Sequence, residues 1–413
     1  MHGGPRVAAA LASVVAAGAG NSQIERNHMT LQGALNPCDV SNLPETVDAL
    51  VIGGGPAGGI AAISLARAGF RTVLADRGMH PRAKVCGCCL APKGLATLQS
   101  YGLQHIVREA LPLHHVLLES GMRSMRVARA GSVSIARETL DTGLLEAAQG
   151  AGALLAMQTV ANVDRSEGVH LRQRGVTRTM QARLVIAADG LQGQSLADVP
   201  AFAWKVRRSS LMGMGAILPA TAACVQPGEI RMRVHADGYV GLVRLPDGRI
   251  DVAAAVRPDA LRADHGPAAC MRRMLGDAVL DAEAVLAAPW CGTPLLTRKR
   301  SRLACAGVLV AGDAGGYVEP FTGEGMSWAL ASGAAAGVHA AAVLRGERTE
   351  DDWNRAGHAL LRVARWRCRV TGWLLRQPAL VNLGLRTMRS MPSLSERIAN
   401  AFGAAEAMPQ AHP

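Results

Sequence analysis

The sequence predicts an α/β fold: a Rossmann-type dinucleotide-binding domain, an inserted β-sheet substrate domain and a C-terminal helical tail. Three observations carry this. A β-α-β unit with a glycine-rich turn fills residues 47–76, a strand-rich stretch runs through 200–295, and a basic helix-forming segment follows residue 349. Residues 1–46 are expected to be a disordered or mis-assigned extension. The nucleotide-binding domain takes 47–199, with a strand insertion near 113–136, and resumes at 299–348. Between them 200–298 forms the β-rich domain, and 349–413 is the tail.

The run 47–52 is short and β-rich. After the glycine turn, 59–69 reads as a helix with Ile60, Ile63 and Leu65 available for packing, and 71–75 is a second strand ending at Asp76. A helix is expected at 92–101, closed by Gly102, then strands within 113–136, a helix at 140–150 and a buried strand at 183–187. In the insertion, 211–218, 230–235, 239–245 and 250–256 read as strands, with Asp247-Gly248 as a hairpin turn. The run 307–311 is another buried strand, and Gly325–Leu344 is a long helix. The tail from Trp353 is helical, interrupted by Pro378 and Pro392.

Length and composition narrow the classes of function. At 413 residues the chain exceeds one minimal domain, and 49% hydrophobic residues support a sizeable core. Aromatics make up only 3%, which argues against a protein that stacks on nucleic-acid bases. Lys and Arg number 44 against 32 Asp and Glu, a net charge of +12. That excess favours anionic partners: cofactor phosphates, an acidic substrate or an anionic membrane surface. An Arg-rich composition without a specific partner gives the same number.

The nine cysteines are odd in number and scattered, which points to a reducing compartment, and so to the cytoplasm. Cys86-Gly-Cys88-Cys89 is their one cluster. Without a second pair at matching spacing, no metal site is expected there. Arg6 and the weakly apolar run 7–17 have signal-peptide length, whereas Met29 offers a later start; export is the minor alternative. No run of 18 strongly apolar residues marks a membrane span.

The glycine turn is Gly53-Gly-Gly55-Pro56-Ala57-Gly58, between a strand and a helix, with an acid at Asp76 and Arg77 beside it. Each part has a physical task. Gly53 permits the tight turn, Gly55 lets the backbone approach a pyrophosphate, and Gly58 lets the helix pack close to the strand. The helix N-terminus offers unpaired N–H groups to phosphates, and Asp76 can accept from ribose hydroxyls. This fingerprint alone does not choose between FAD and NAD.

Two later segments make that choice. One is 183–190, a hydrophobic strand ending at Asp189-Gly190. The other is 308–326, with Gly312-Asp313 and then Pro320-Phe-Thr-Gly323-Glu324-Gly325-Met326. Together they resemble the flavoprotein superfamily of aromatic-ring hydroxylases and geranylgeranyl reductases. The resemblance spans roughly residues 47–345 and implies bound FAD. Asp313 would then bind a ribityl or ribose hydroxyl, and the helix beginning at Gly325 would point its N-terminus at the flavin pyrimidine ring, where it can stabilise negative charge.

Further matches are shorter. Arg137-x-x-Leu140-Asp141 resembles the superfamily's Arg-x-x-Leu-Asp, where the Arg approaches FAD; a surface Arg capping a helix is the plainer alternative. Lys84-Val-Cys86-Gly87 resembles the Lys-x-Cys-Gly of geranylgeranyl reductase-like members, which places Cys86 by the isoalloxazine; a buried thiol acting as a small hydrophobe is its alternative. After Asp189-Gly190 the usual serine is displaced, with Gly193 in its place and Ser195 later. The Trp-x-Trp-x-Ile-Pro signature of flavin halogenases is absent, which argues against halogenation. The aromatic-rich strand of typical geranylgeranyl reductases is also missing at 238–246, although Tyr239 lies there as a pocket residue.

The favoured expectation is therefore an NAD(P)H-using, FAD-dependent monooxygenase that hydroxylates an apolar, aromatic or polyketide-like small molecule. Cys86 and Tyr239 are its candidate catalytic-face residues. The first alternative is a geranylgeranyl reductase-like enzyme that saturates double bonds of an isoprenoid lipid. The second is a non-enzymatic electron-transfer flavoprotein. In the tail, 354–397 holds nine Arg against the single acid Glu396, interleaved with Trp366, Trp373 and several leucines. That segment suits either a helical cap on the FAD domain or peripheral contact with an anionic membrane.

Overall fold

The computed structural model describes residues 35–276, 279, 281–319, 321, 323–360 and 362–375. The chain enters at β1 (Thr46–Ile52), turns into α1 (Pro56–Arg67) and returns as β2 (Thr72–Ala75), so the expected β-α-β unit is formed. Next come β3 (Cys89–Leu90), α2 (Pro92–Ser100), the long hairpin β4 (Leu111–Ser120) and β5 (Arg123–Ser134), and α3 (Arg137–Gly150). Strands β6 (Leu154–Ala156), β7 (Val160–Asp164), β8 (Gly168–Gln173) and β9 (Val176–Ala187) follow.

The second part opens with β10 (Trp204–Val206), β11 (Met212–Leu218), β12 (Glu229–His235), β13 (Gly238–Arg244) and β14 (Ile250–Val256). Three short helices, α4 (Pro258–Ala263), α5 (Pro267–Leu275) and α6 (Ala282–Ala287), lead to β15 (Cys291–Leu295) and β16 (Arg298–Arg300). The chain then completes the first part with β17 (Ala304–Cys305), β18 (Val308–Val310), β19 (Gly316–Tyr317) and α7 (Gly325–Leu344). It continues into α8 (Asp352–Leu360) and α9 (Arg362–Leu375).

The first sheet runs β17-β18-β9-β1-β2-β6, parallel from β18 to β6, with β7 and β8 folded antiparallel beside β9. Strands β1, β9 and β18 all end at the same edge, where Ile52 pairs with Ala187 and Ala187 with Val310. In parallel sheets the crevice beyond such carboxyl ends is where ligands bind. Helices α1, α3 and α7 cover the sheet. Ile60, Ile63 and Leu65 of α1 are fully buried, each worth about 1.5–3 kcal/mol of apolar burial.

The second sheet runs β15-β11-β14-β13-β12-β4-β5-β3. It is not confined to the expected 200–298 segment. Strands from 89–134 complete it, through a parallel pairing of β4 with β12 in which Val116 faces Ile230. A parallel pairing needs no local turn, so nothing near either strand announces it. Helix α5 packs Met271, Met274 and Leu275 beneath this sheet as a separate core.

Two boundaries shift. The N-terminal extension does not reach 46: Val40 and Leu43 lie in the main core, and the Val40 amide donates to Gln173 Oε1 at 2.9 Å. Residues 1–34 lie outside the described residues, as does the tail beyond 375. The start of the tail is a cap on the first domain. Trp353 is buried and donates to the Val310 carbonyl at 3.0 Å, and Cys368 packs with Val318 and Trp328. Among the described residues α7 alone has the length and hydropathy to cross a membrane, and 72% of its most apolar 18-residue stretch is buried inside the protein.

Candidate cofactor site

The turn between β1 and α1 is shaped by close backbone approaches. Gly53 adopts φ +109, and a Cβ there would overlap the Ala188 carbonyl. A Cβ on Gly58 would overlap the Gly53 carbonyl. Both positions therefore need glycine, for the tight turn and the close helix approach the sequence suggested. Helix α1 starts with Pro56, has Gly55 in extended conformation at its N-cap, and carries no side-chain cap. Its first amides are thus left for an anionic ligand.

Gly55 opens onto two cations. Its Cβ position lies 3.5 Å from Arg137 Nη2 and 3.9 Å from Lys84 Nζ, and nothing else is within 4 Å. These cations are set in place by Asp141 on α3. Its carboxylate accepts from Lys84 Nζ at 2.8 Å and from Arg137 Nε and Nη2 at 3.0 and 2.8 Å. Burial would raise the Asp141 carboxyl, but Arg137 and Lys84 outweigh it and hold it below its usual range. Two cations over one carboxylate leave a net positive charge facing the helix N-terminus, which suits a pyrophosphate.

Asp76 ends β2 and organises the turn from the other side. Its carboxylate accepts from the Gly54 and Gly78 amides, both at 2.7 Å, with His80 at 3.7 Å and Arg82 at 3.3 Å. Burial works against its charge, but His80, Lys84 and the two amides prevail and hold it far below the ordinary carboxylate range. Arg77 beside it is exposed.

The two later segments reach the same edge. Asp189 Oδ2 accepts from the Ser195 amide at 2.8 Å, so the displaced serine closes the loop through its backbone. Asp189 Oδ1 is buried with no partner among the described residues, and burial raises its carboxyl. Gly190 adopts φ +76. Gly312 adopts φ +62, and its Cβ position lies 2.7 Å from Ala57 Cβ, so the Gly312-Asp313 turn sits against the start of α1. Burial pushes the Asp313 carboxyl up to about 6, against the pull of Arg137. Helix α7 begins at Gly325 with Glu324 at its N-cap and Met326 buried; Gly323, at φ +70, approaches Cys89. Pro320 lies outside the described residues.

Cys86 is half-buried among these groups. Hydrogen bonding from the Cys88 thiol, opposed by burial and aided by Arg137, lowers its thiol to about 6. Its charge is felt at Asp313 and at Tyr317, whose hydroxyl burial raises well above its usual value. The ring of Tyr239 meets Phe321 edge-on at 5.0 Å, with Tyr317 packed nearby. The candidates Cys86 and Tyr239 thus line the region next to the Asp313 turn.

Three further residues matter that sequence reading passed over. Arg300, fully buried, donates to the carbonyls of Ala314, Phe202 and Gly193 at 2.8, 2.6 and 2.6 Å and stacks on Trp204 at 4.2 Å. It ties the Asp313 turn to the Asp189 loop. Arg365 of α9 donates to the Gly316 carbonyl at 3.0 Å, bringing the tail to the same turn. Asp251, the second residue of β14, is buried, and its carboxyl is raised well above its usual value by burial and the Cys86 charge. An acid at an inward-facing strand position was the one available signal.

The residues fit FAD. The glycine cradle with two cations suits a pyrophosphate, and the unpartnered Asp189 oxygen and buried Asp313 offer acceptors to hydroxyls along the same edge. Fold and site define an oxidoreductase that binds a dinucleotide. The FAD binding domain family matches residues 46–366, and the chain belongs to it; it is an FAD-dependent oxidoreductase. It is 29% identical over 322 residues to a geranylgeranyl diphosphate reductase of Rhodobacter capsulatus, covering 74% of this chain and 77% of that protein. It is 26% identical over 309 residues to a menaquinone reductase of Mycolicibacterium smegmatis, covering 69% and 74%. A flavoprotein/dehydrogenase of Cytophaga hutchinsonii has a similar fold, with a TM-score of 0.74 at 19% identity over 87% of this chain and 93% of that one.

Proposed function

We propose that this protein uses FAD to reduce carbon–carbon double bonds in an isoprenoid chain. The observation that carries this is the position of Cys86. The Lys84-Val-Cys86-Gly87 segment, which resembles that of geranylgeranyl reductase-like proteins, is brought beside the Asp313 turn and the aromatic group of Tyr239, Tyr317 and Phe321. The sequence lacks an aromatic-rich strand at 238–246, which weighed against prenyl reduction. Here aromatic rings come from separate segments instead and offer an apolar wall to an isoprenoid chain. The two reductases to which the chain is similar support the same reading.

FAD, when bound, supplies the hydride chemistry. The chain's own residues hold the cofactor, exclude water with the aromatic wall and place a thiol at the reacting edge. NAD(P)H is the proposed electron donor, approaching the flavin transiently, since no second glycine fingerprint occurs in a β-α-β setting. The proposed location is the cytoplasm, with peripheral membrane contact through the basic tail. Trp366 is 61% exposed on α9 between the exposed Arg362 and Arg369, as membrane contact requires.

A second reading is hydroxylation of an aromatic small molecule, favoured by the edge-on pair Tyr239–Phe321, which suits a planar ring. One experiment separates the two. FAD-loaded protein is reduced chemically without oxygen and given geranylgeranyl diphosphate or an isoprenoid quinone. Hydrogen gain in the chain, unaffected by oxygen, is the expected result. No anaerobic product, with hydroxylation of an aromatic compound in air, would move the assignment to the second reading.

A further inference from the structure

We propose that Cys86 and Cys88 form a redox-active dithiol, a second two-electron centre beside the flavin. The proposal rests on the reading that FAD lies along the Gly53–Gly58 and Asp313 turns. Its basis is the fold of four residues. Cys88 adopts φ +46, in the left-handed region that residues other than glycine rarely enter. The turn at Gly87 and Cys88 leaves Cys86 packed against the buried group that contains Cys88 and Cys89, and Cys88 is the largest influence on the Cys86 thiol. Cys86 is half-buried, whereas Cys88 is 1% exposed. Cys89 is turned away, its thiol donating to the Gly87 carbonyl at 3.0 Å.

The two thiols are unlike. Cys86 is held toward its thiolate, the reactive form, while Cys88, hydrogen-bonded to it and buried, stays protonated. Asp251 completes the set. It pairs across the sheet with Ile217 and Val243, which pack with the cysteine segment, and its Oδ2 is buried with no partner among the described residues. A buried carboxyl near the start of a strand, with a free oxygen and with Cys86 and Cys88 among the groups that set its titration, has no structural need to be there.

The step balances. An S–S bond forms between Cys86 and Cys88, and the S–H bond of Cys88 breaks. Its proton passes to Asp251, which hands on the proton it already holds. The two electrons go to oxidised FAD, which takes up one proton. In reverse, reduced FAD restores one thiolate and one thiol.

The test uses the full chain, with and without FAD. After mild oxidation with diamide, denaturation, alkylation and peptide mass mapping, the peptide spanning 85–93 should have lost two hydrogens and escaped alkylation at Cys86 and Cys88. Cys86→Ser and Cys88→Ser should each abolish the link, and Cys89→Ser should keep it. In anaerobic titration with dithionite, the oxidised FAD-loaded protein should take up twice as many electrons per FAD as Cys88→Ser. A peptide that stays fully alkylated, a link that survives in Cys88→Ser, or equal electron uptake overturns the proposal. Failure to take up FAD would instead remove the flavin reading, because mass mapping of the FAD-free protein still decides the dithiol.

Discussion

The Asp76 carboxylate accepts a 2.7 Å hydrogen bond from the Gly54 amide, so the acid at the end of β2 holds the glycine turn in shape. Asp76→Asn keeps the size but loses the charge and one acceptor for the Gly54 and Gly78 amides. FAD retention should weaken, and stability at pH 7 should fall by about 1–3 kcal/mol. The sign with pH follows from the depressed carboxyl. The stabilisation is complete above the ordinary value of 3.8 and is lost as pH falls below it toward the folded value. Thermal unfolding of both proteins from pH 7 to 3 should show the gap closing in acid.

Gly55 and Gly58 should fail differently. Gly58→Ala drives a methyl into the Gly53 carbonyl, so the first sheet should not assemble. Gly55→Val meets only Arg137 and Lys84, at 3.5 and 3.9 Å from the Cβ, so the chain should fold but bind no FAD. Circular dichroism together with flavin absorbance distinguishes these outcomes.

Asp141→Leu leaves Lys84 and Arg137 without their shared anion. Removing one partner of a buried ion cluster costs roughly 3–5 kcal/mol. Denaturant unfolding should register that loss, and added FAD should recover part of it, because its phosphates neutralise the same cations.

For Asp313 the sign is opposite to that of Asp76. Its folded value, pushed up to about 6, exceeds the ordinary 3.8, so the FAD-free protein should lose stability as pH rises from about 4 to 6. Asp313→Asn should remove this slope and weaken FAD binding. A stability profile of Asp313→Asn that parallels wild type across that window would rule out a buried carboxyl there.

Arg300→Met should loosen the loops at 193, 202 and 314 together, because three carbonyls lose one donor. The expected cost is several kcal/mol, on the order of 1–3 per buried group left unpaired. Hydrogen exchange should rise at the Ser195 amide, which Asp189 holds.

The dinucleotide unit was legible because its signals are local. Gly53, Gly58 and Asp76 sit within one β-α-β stretch, and helix α7 was read to the residue because no acid, Lys or Arg breaks it between Glu324 and Arg345. The second sheet was only half legible. Its strands β11–β14 announce themselves through alternation and the Asp247-Gly248 turn. The partnership of β4 with β12, more than a hundred residues apart, is decided by burial of facing side chains and leaves no local mark. Asp141 was visible only as part of the Arg137 motif, and its link to Lys84, 57 residues away, depends on the fold. The three helices at 258–287 are short and begin at Pro258, at Pro267 and just after Asp281, whose turn-like character hid them.

Helix α7 meets α1 through glycine. A Cβ on Gly333 would overlap the Ala57 carbonyl, and one on Gly337 would come within 2.6 Å of Ser64 Cβ. Strand β18 likewise completes the sheet beside β9. The nucleotide-binding half therefore cannot close until the last quarter of the chain has left the ribosome. Until then β1, α1 and β9 wait with an apolar face open. A chain stopped before residue 307 should be held by chaperones or degraded rather than persist as a smaller flavoprotein.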